Sequence, residues 1–119
     1  CLQSVFASTL QPTVMVIDND SRDNTVKRIR TDYPEVILIE NKENLGFGKA
    51  NNIGLSYALE KNFDYAFLLN QDTWIEPDML EKLIGASDKN TNFGIISSLL
   101  AQWQIARPWF CQLCAERDR

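Results

Sequence analysis

The stretch Asp64-Tyr-Ala-Phe-Leu-Leu-Asn-Gln-Asp-Thr73 decides how the rest of the chain is read. Tyr65 to Leu69 is a continuous apolar run that stops abruptly at Asn70, Gln71, Asp72 and Thr73. A strand buried on both faces of a parallel sheet needs such a run, because neither face meets water. Polar groups at its carboxyl end then stand where open α/β sheets bind ligands. Asp72 becomes a carboxylate at the mouth of a crevice, chemistry suited to a hard cation such as Mg²⁺ or Mn²⁺. The plainer alternative is that Asn70 and Asp72 only end the strand and cap a turn.

On either side, buried runs alternate with amphipathic ones. Val14 to Ile17, Val36 to Ile39 and Phe93 to Ile96 are short apolar runs. Strands are therefore expected near 14–17, 36–40, 65–70 and 93–97. Val26, Ile29 and Tyr33 recur at helical spacing, as do Ala50, Ile53, Gly54, Tyr57 and Ala58, and Met79, Leu80, Leu83 and Ile84. Pro34 ends the first of these helices, and Pro77 suits the first position of the last. Leu2, Val5 and Phe6 read as the end of one more helix. This alternation implies βαβ units. The fold class is α/β, a mostly parallel, Rossmann-like sheet with flanking helices and right-handed crossovers. After Ser98 the pattern weakens. Leu99 to Ile105 has helical spacing, Pro108 interrupts it, and Ala115 to Arg119 reads as a polar, frayed end.

A chain of 119 residues is long enough for one domain with a core. Its net charge of −4 argues against a nucleic-acid partner, which calls for a basic face. A nucleotide diphosphate stays open, because a bound metal supplies positive charge locally. No apolar run approaches the roughly 20 residues that span a membrane, and no signal peptide is visible. A cytoplasmic location, or a peripheral one at the inner face of the membrane, is expected. Cys111-Gln-Leu-Cys114 has the spacing of half a zinc site or a redox pair, but the chain has no histidine and only Cys1 as a further thiol. Reduced, structurally incidental thiols are the better reading. The chain opens at Cys1 without an initiator methionine, as though cut from something longer.

Three polar loops follow strands, so a parallel sheet gathers them at one edge. The first, Asp18 to Thr25, has Asp at positions one and three of a calcium loop. Asp23 stands where that loop needs Gly, and Ile29 where it needs Glu, so calcium is rejected. Asp18 at the strand end is suited to accept hydrogen bonds from a nucleobase or ribose, while Ser21 or Asp23 caps the following helix. Asn19-Asp-Ser21 fits a glycosylation sequon and is read as chance. The second loop, Glu43 to Asn52, carries Gly46 and Gly48 ahead of a helix N-terminus, where backbone amides suit phosphate or sugar hydroxyls. Its glycine spacing is neither a P-loop nor a dinucleotide fingerprint. The third is Asn70 to Thr73.

Together these loops resemble the nucleotide-binding half of family 2 glycosyltransferases, which have the GT-A fold. The matching text is Val16 to Thr25 (Val-Ile-Asp-Asn-Asp-Ser-Arg-Asp-Asn-Thr), Glu43 to Gly54 (Glu-Asn-Leu-Gly-Phe-Gly-Lys-Ala-Asn-Asn-Ile-Gly), and Leu68 to Thr73 followed by Pro77-Asp78. It covers about residues 1–97 and is most similar to the subgroup holding bacterial rhamnosyltransferases. The resemblance implies a nucleotide-diphosphate sugar donor, Mg²⁺ or Mn²⁺, inversion at the anomeric carbon, and a glycan or lipid-linked glycan acceptor in polysaccharide biosynthesis. By position, Asp18 would contact the base. Asn19, Asn44, Gly46, Gly48, Asn51 and Asn70 would line the donor site, Asn51 standing where many relatives have arginine. Asn70-Gln71-Asp72 lies on the family's DxD motif with Asn for its first Asp, and Asp72 would be the metal ligand.

Two departures go with the matches. The family's first strand would precede Cys1 and lie centrally, between the strands at 14–17 and 65–69. The general base has no counterpart here, since Asp118 sits in the terminal tail, so no catalytic residue is assigned. The expected division is a donor-binding part, 1–97, and a divergent tail, 98–119, inactive alone. A gap in the sheet would expose strand edges. The chain is then expected to self-associate through an edge or to fill the gap with its tail, for which Leu99 to Ile105 is the apolar candidate. The rival readings are a non-catalytic nucleotide-sugar-binding remnant and a flavodoxin-like signalling domain. The latter leaves the glycine loop unexplained.

Overall fold

The structure, a computed structural model, describes residues 1–89, 94–96 and 110–115, the last six through their backbone. In chain order the elements are α1 (Leu2–Phe6), β1 (Thr13–Asp18), α2 (Thr25–Asp32), β2 (Ile37–Glu40), α3 (Phe47–Glu60), β3 (Tyr65–Asn70), α4 (Met79–Lys89) and β4 (Phe110–Ala115). They fall into two compact units, one of Cys1–Gln11 with Asp72–Ala106, the other of Pro12–Gln71 with Arg107–Arg119.

The second unit is built on a four-stranded sheet of order β2-β1-β4-β3. β1 and β2 pair in parallel, with Met15 opposite Ile37 and Asp18 opposite Glu40. β4 runs antiparallel to both its neighbours. It follows that β1, β2 and β3 all point one way, as the α/β reading requires, and that the one reversed strand lies between two of them.

β1 is the strand buried on both faces: Val14 is 4% exposed, and Met15, Val16 and Ile17 are fully buried. Each such side chain contributes about 1.5–3 kcal/mol on leaving water. Met15 and Ile17 pack on Ala50 of α3, with Ile37, Ile39, Ile53 and Tyr57 around them. The small residues Ala50, Gly54 and Ala58, four apart, are all buried, which lets α3 lie close to the sheet. The helix stops in a Schellman motif. Asn62 takes a left-handed φ of 58°, its N–H donates to Leu59 O, and the Phe63 N–H donates to Ala58 O. The Phe63 ring then meets Tyr57, centroids 6.4 Å apart, as the apolar contact that goes with this cap.

Three expected strands form, and two expectations need correction. The run Tyr65 to Leu69 reads as buried on both faces, yet β3 lies at one edge of the four-stranded sheet. Ala66, Leu68 and Asn70 are exposed on one face, while Leu69 is buried on the other. An apolar run cannot by itself tell a central strand from one half-covered. The strand expected at 93–97 is not there in its described part: residues 94–96 lie in no strand, and Ile95 is 90% exposed. The fourth strand is β4. It fills the place between β1 and β3, so the tail does close the sheet, but with Phe110–Ala115. Leu99 to Ile105 lies outside the described residues. Backbone pairing with both β1 and β3 makes the six residues from Phe110 to Ala115 a strand.

In the other unit, α1 is tied to the segment before α4. The Ser4 hydroxyl donates to Cys1 O and accepts the Ile75 N–H, and the Ser8 and Thr9 hydroxyls and the Thr9 N–H all donate to Pro77 O. Leu2, Val5, Ile75 and Leu80 are buried. α4 begins two residues after Pro77, at Met79. No helix among the described residues is long and apolar enough to cross a membrane.

Candidate functional site

β1 delivers Asp18 and Asn19 to the carboxyl end of the sheet, at 3% and 5% exposure. The Asp18 Oδ2 accepts the Ser21 N–H at 3.0 Å, a turn held in place by Asp20 at a left-handed φ of 68°. The other carboxylate oxygen, Oδ1, is buried without a hydrogen-bond partner, and so is the Ser21 hydroxyl. Burying a carboxylate oxygen unpaired is costly, so Oδ1 has the character of an acceptor awaiting a donor. α2 has Asn24 at its N-cap without a side-chain bond. Capping falls to Asp23, whose Oδ1 accepts the Thr25 N–H, and Ser21 takes no part.

Asn19 ties this strand end to the glycine loop. Its Oδ1 accepts from Asn41 Nδ2 at 3.0 Å and from the Leu45 N–H at 3.1 Å. Its Nδ2 donates to Asn44 Oδ1 at 3.1 Å and to Gly46 O at 3.4 Å. Asn44 Oδ1 also accepts the Gly46 N–H at 2.9 Å. Asn19 is thus buried and fully bonded, which excludes the sequon as a glycan acceptor in the folded protein.

Gly46 occupies the N-cap of α3 at φ 76° and ψ 170°, a conformation almost confined to glycine. It has no side chain to offer, so the N-cap residue makes no side-chain hydrogen bond to the first turn of the helix. Space is open at Gly48 too, where an added Cβ would meet nothing within 4 Å. Asn51, one turn further, is 6% exposed with Oδ1 unpartnered.

The structure thus brings Asp18, Asn19, Asn44 and Gly46 together, with Gly48 and Asn51 on the first turns of α3. Asn70 ends β3 and is exposed. Asp72 is exposed at the start of the other unit's second segment, and neither belongs to the Asn19 network. Among the described residues no group of three or more carboxylates or thiols forms a metal cage. Sequence reasoning overlooked Asn41 and the orphaned Ser21 hydroxyl. The only signal for Asn41 is its place one residue past β2, where its N–H meets Asp18 O at 2.9 Å.

Known proteins give this arrangement a family. The chain is 25% identical over 113 residues to a glucosyl-dolichyl phosphate glucuronosyltransferase of Haloferax volcanii, 92% of this chain and 35% of that protein. It is 39% identical over 71 residues to the dTDP-rhamnosyl transferase RfbF of Shigella flexneri, 59% of this chain and 23% of that one. EpsH of Bacillus subtilis is 24% identical over 107 residues, 87% of this chain and 30% of its own length. The chain spans about a quarter to a third of the length of these relatives. No solved structure matches it. The sequence model described as glycosyl transferase family 2 matches residues 1–106, nearly the whole chain, and takes in all three loops. On that match this chain belongs to glycosyl transferase family 2.

Proposed function

We propose that this chain is the donor-binding part of an enzyme that transfers a sugar from a nucleotide diphosphate to a growing glycan. The observation that carries the reading is Asp18 Oδ1, a buried carboxylate oxygen without a partner at the carboxyl end of β1. It accepts an N–H of the base or an O–H of the ribose. The amides of Gly48 and Lys49 at the start of α3 face the negative charge of the diphosphate, with Gly46 and Gly48 allowing close approach. The 39% identity with the Shigella transferase supports a place in the rhamnosyltransferase-like subgroup.

Asp72 is a single exposed carboxylate. One carboxylate is a usual protein share for Mg²⁺, which takes its remaining ligands from phosphate oxygens and water, so the donor set fits Mg²⁺ or Mn²⁺. Such an ion, when bound, offsets the charge gathering on the leaving diphosphate. In transfer with inversion, the acceptor hydroxyl bonds to the anomeric carbon as the bond to the diphosphate breaks, and the hydroxyl proton passes to a base. No described residue of this chain is assigned as that base.

Calorimetry with dTDP and with UDP, each with Mn²⁺, tests the reading. Saturable binding is expected, weakened by Asp18→Asn. In that variant the Ser21 N–H holds the side-chain oxygen, so the amide NH₂ replaces the free acceptor. Asp72→Ala is expected to abolish the Mn²⁺ dependence. Binding of neither nucleotide, or equal binding by both variants with and without Mn²⁺, would overturn it.

A further inference from the structure

We infer that Asn19 does not touch the donor and acts instead, together with Asn44, as a clamp that sets the glycine loop for it. This rests on the donor-binding reading above and changes what two of its residues do.

The argument is one of hydrogen-bonding capacity. An asparagine side chain has two donors on nitrogen and two acceptor positions on oxygen. Asn19 spends all four inside the protein: Oδ1 on Asn41 Nδ2 and the Leu45 N–H, Nδ2 on Asn44 Oδ1 and Gly46 O. Backbone partners fix which end is which. The Leu45 N–H can only donate and the Gly46 carbonyl can only accept, so the amide cannot be turned round without breaking both contacts. Asn44 is fixed likewise, because its Oδ1 receives the Gly46 N–H. Asn19 is 5% exposed. Asp18, the preceding residue, is equally buried but keeps one oxygen unspent. Two neighbours on one strand end thus do different work. Asp18 has an acceptor for a ligand, and Asn19 holds the loop beside it.

What the clamp holds is Gly46, through its carbonyl by Asn19 and its N–H by Asn44. Gly46 is the N-cap of α3, so its backbone direction sets where the amides of Gly48 and Lys49, in the first turn, point. Asn19 and Asn44 are therefore positioning residues, acting on donor binding through Gly46.

The test pairs amide exchange with binding, on the 119-residue chain and dTDP with Mn²⁺. Asn19→Ala is expected to speed exchange at Leu45 and Gly46 and to weaken dTDP by at least about tenfold, equivalent to about 1.4 kcal/mol. Asn44→Ala is expected to speed exchange at Gly46. The double variant should bind dTDP within about twofold of Asn19→Ala, since residues working through one contact are not additive. Asn19→Asp, which keeps the acceptor and loses both donors, should leave Leu45 protected while Gly46 loosens, and it serves if Asn19→Ala does not fold. Asp18→Asn should weaken dTDP and leave exchange at both amides unchanged. Weaker binding in Asn19→Ala with unchanged exchange at Leu45 and Gly46, or losses that multiply in the double variant, would make Asn19 a direct contact and overturn the clamp. Absence of dTDP and UDP binding by the unsubstituted chain defeats the donor-binding reading instead, a separate failure.

Discussion

Gly46 and Gly48 stand two residues apart, and alanine should act on them in opposite directions. At Gly46 the added methyl meets nothing within 4 Å, so no clash contributes. The cost is backbone alone: φ 76° with ψ 170° is a region L-residues avoid, and holding one there costs about 1–3 kcal/mol. Gly48 lies inside α3, at an ordinary helical φ and with open space around it. There alanine removes the flexibility glycine gives the unfolded chain and should stabilise by about 0.4–1 kcal/mol. For a domain of this size, 1 kcal/mol shifts the melting temperature by about 4 °C. Gly46→Ala should therefore melt several degrees lower, and Gly48→Ala a few degrees higher, by circular dichroism. Gly48→Ala should at the same time weaken dTDP binding, because its methyl stands where the diphosphate approaches the helix amides. A Gly46→Ala protein as stable as the parent, or a destabilised Gly48→Ala, would refute the backbone argument. A stabilised Gly48→Ala with unchanged dTDP affinity would refute the approach of the ligand at that turn.

Two further outcomes are expected. Asn62→Gly should keep or raise stability, whereas Asn62→Ala should lose about 1–2 kcal/mol in urea denaturation, because the left-handed turn closing α3 suits alanine poorly. Deleting residues 107–119 should leave β1 and β3 without the strand between them. Buried backbone groups left unpaired cost about 1–3 kcal/mol each against a total of about 5–15 kcal/mol, so the shortened chain should associate or unfold on size-exclusion chromatography, and a monomer with unchanged melting would refute the role of β4.

How much of this was legible beforehand differs by element. β1, β2 and β3 announce themselves as apolar runs, and α3 by a stripe of small residues, since both periodicities are local. β4 does not. Its pairing partners are remote in sequence, and its Cys and Gln residues blur the apolar signal. The run expected at 93–97 fails in its described part, 94–96, for the converse reason, because three apolar letters around a glycine fit a loop as well as a strand. In the site, Asp18 could be found from its place at a strand end. The difference between Asp18 and Asn19 could not, because it lies in which hydrogen bonds are already spent, and those depend on Asn41, Asn44 and Leu45 arriving from the next loop.

The reversed strand in the middle of the sheet also sets an order of events during synthesis. β1 and β3 point the same way and are made early, but the strand that pairs with both is made about 40 residues after β3 ends. At about 5–20 residues per second, the 119-residue chain synthesised by itself waits roughly 2–8 s with that slot open. Through this interval the inner edges of β1 and β3 are bare to other nascent chains and to chaperones. A slow ribosomal stretch between positions 70 and 110 would lengthen the exposure without altering one contact of the finished fold.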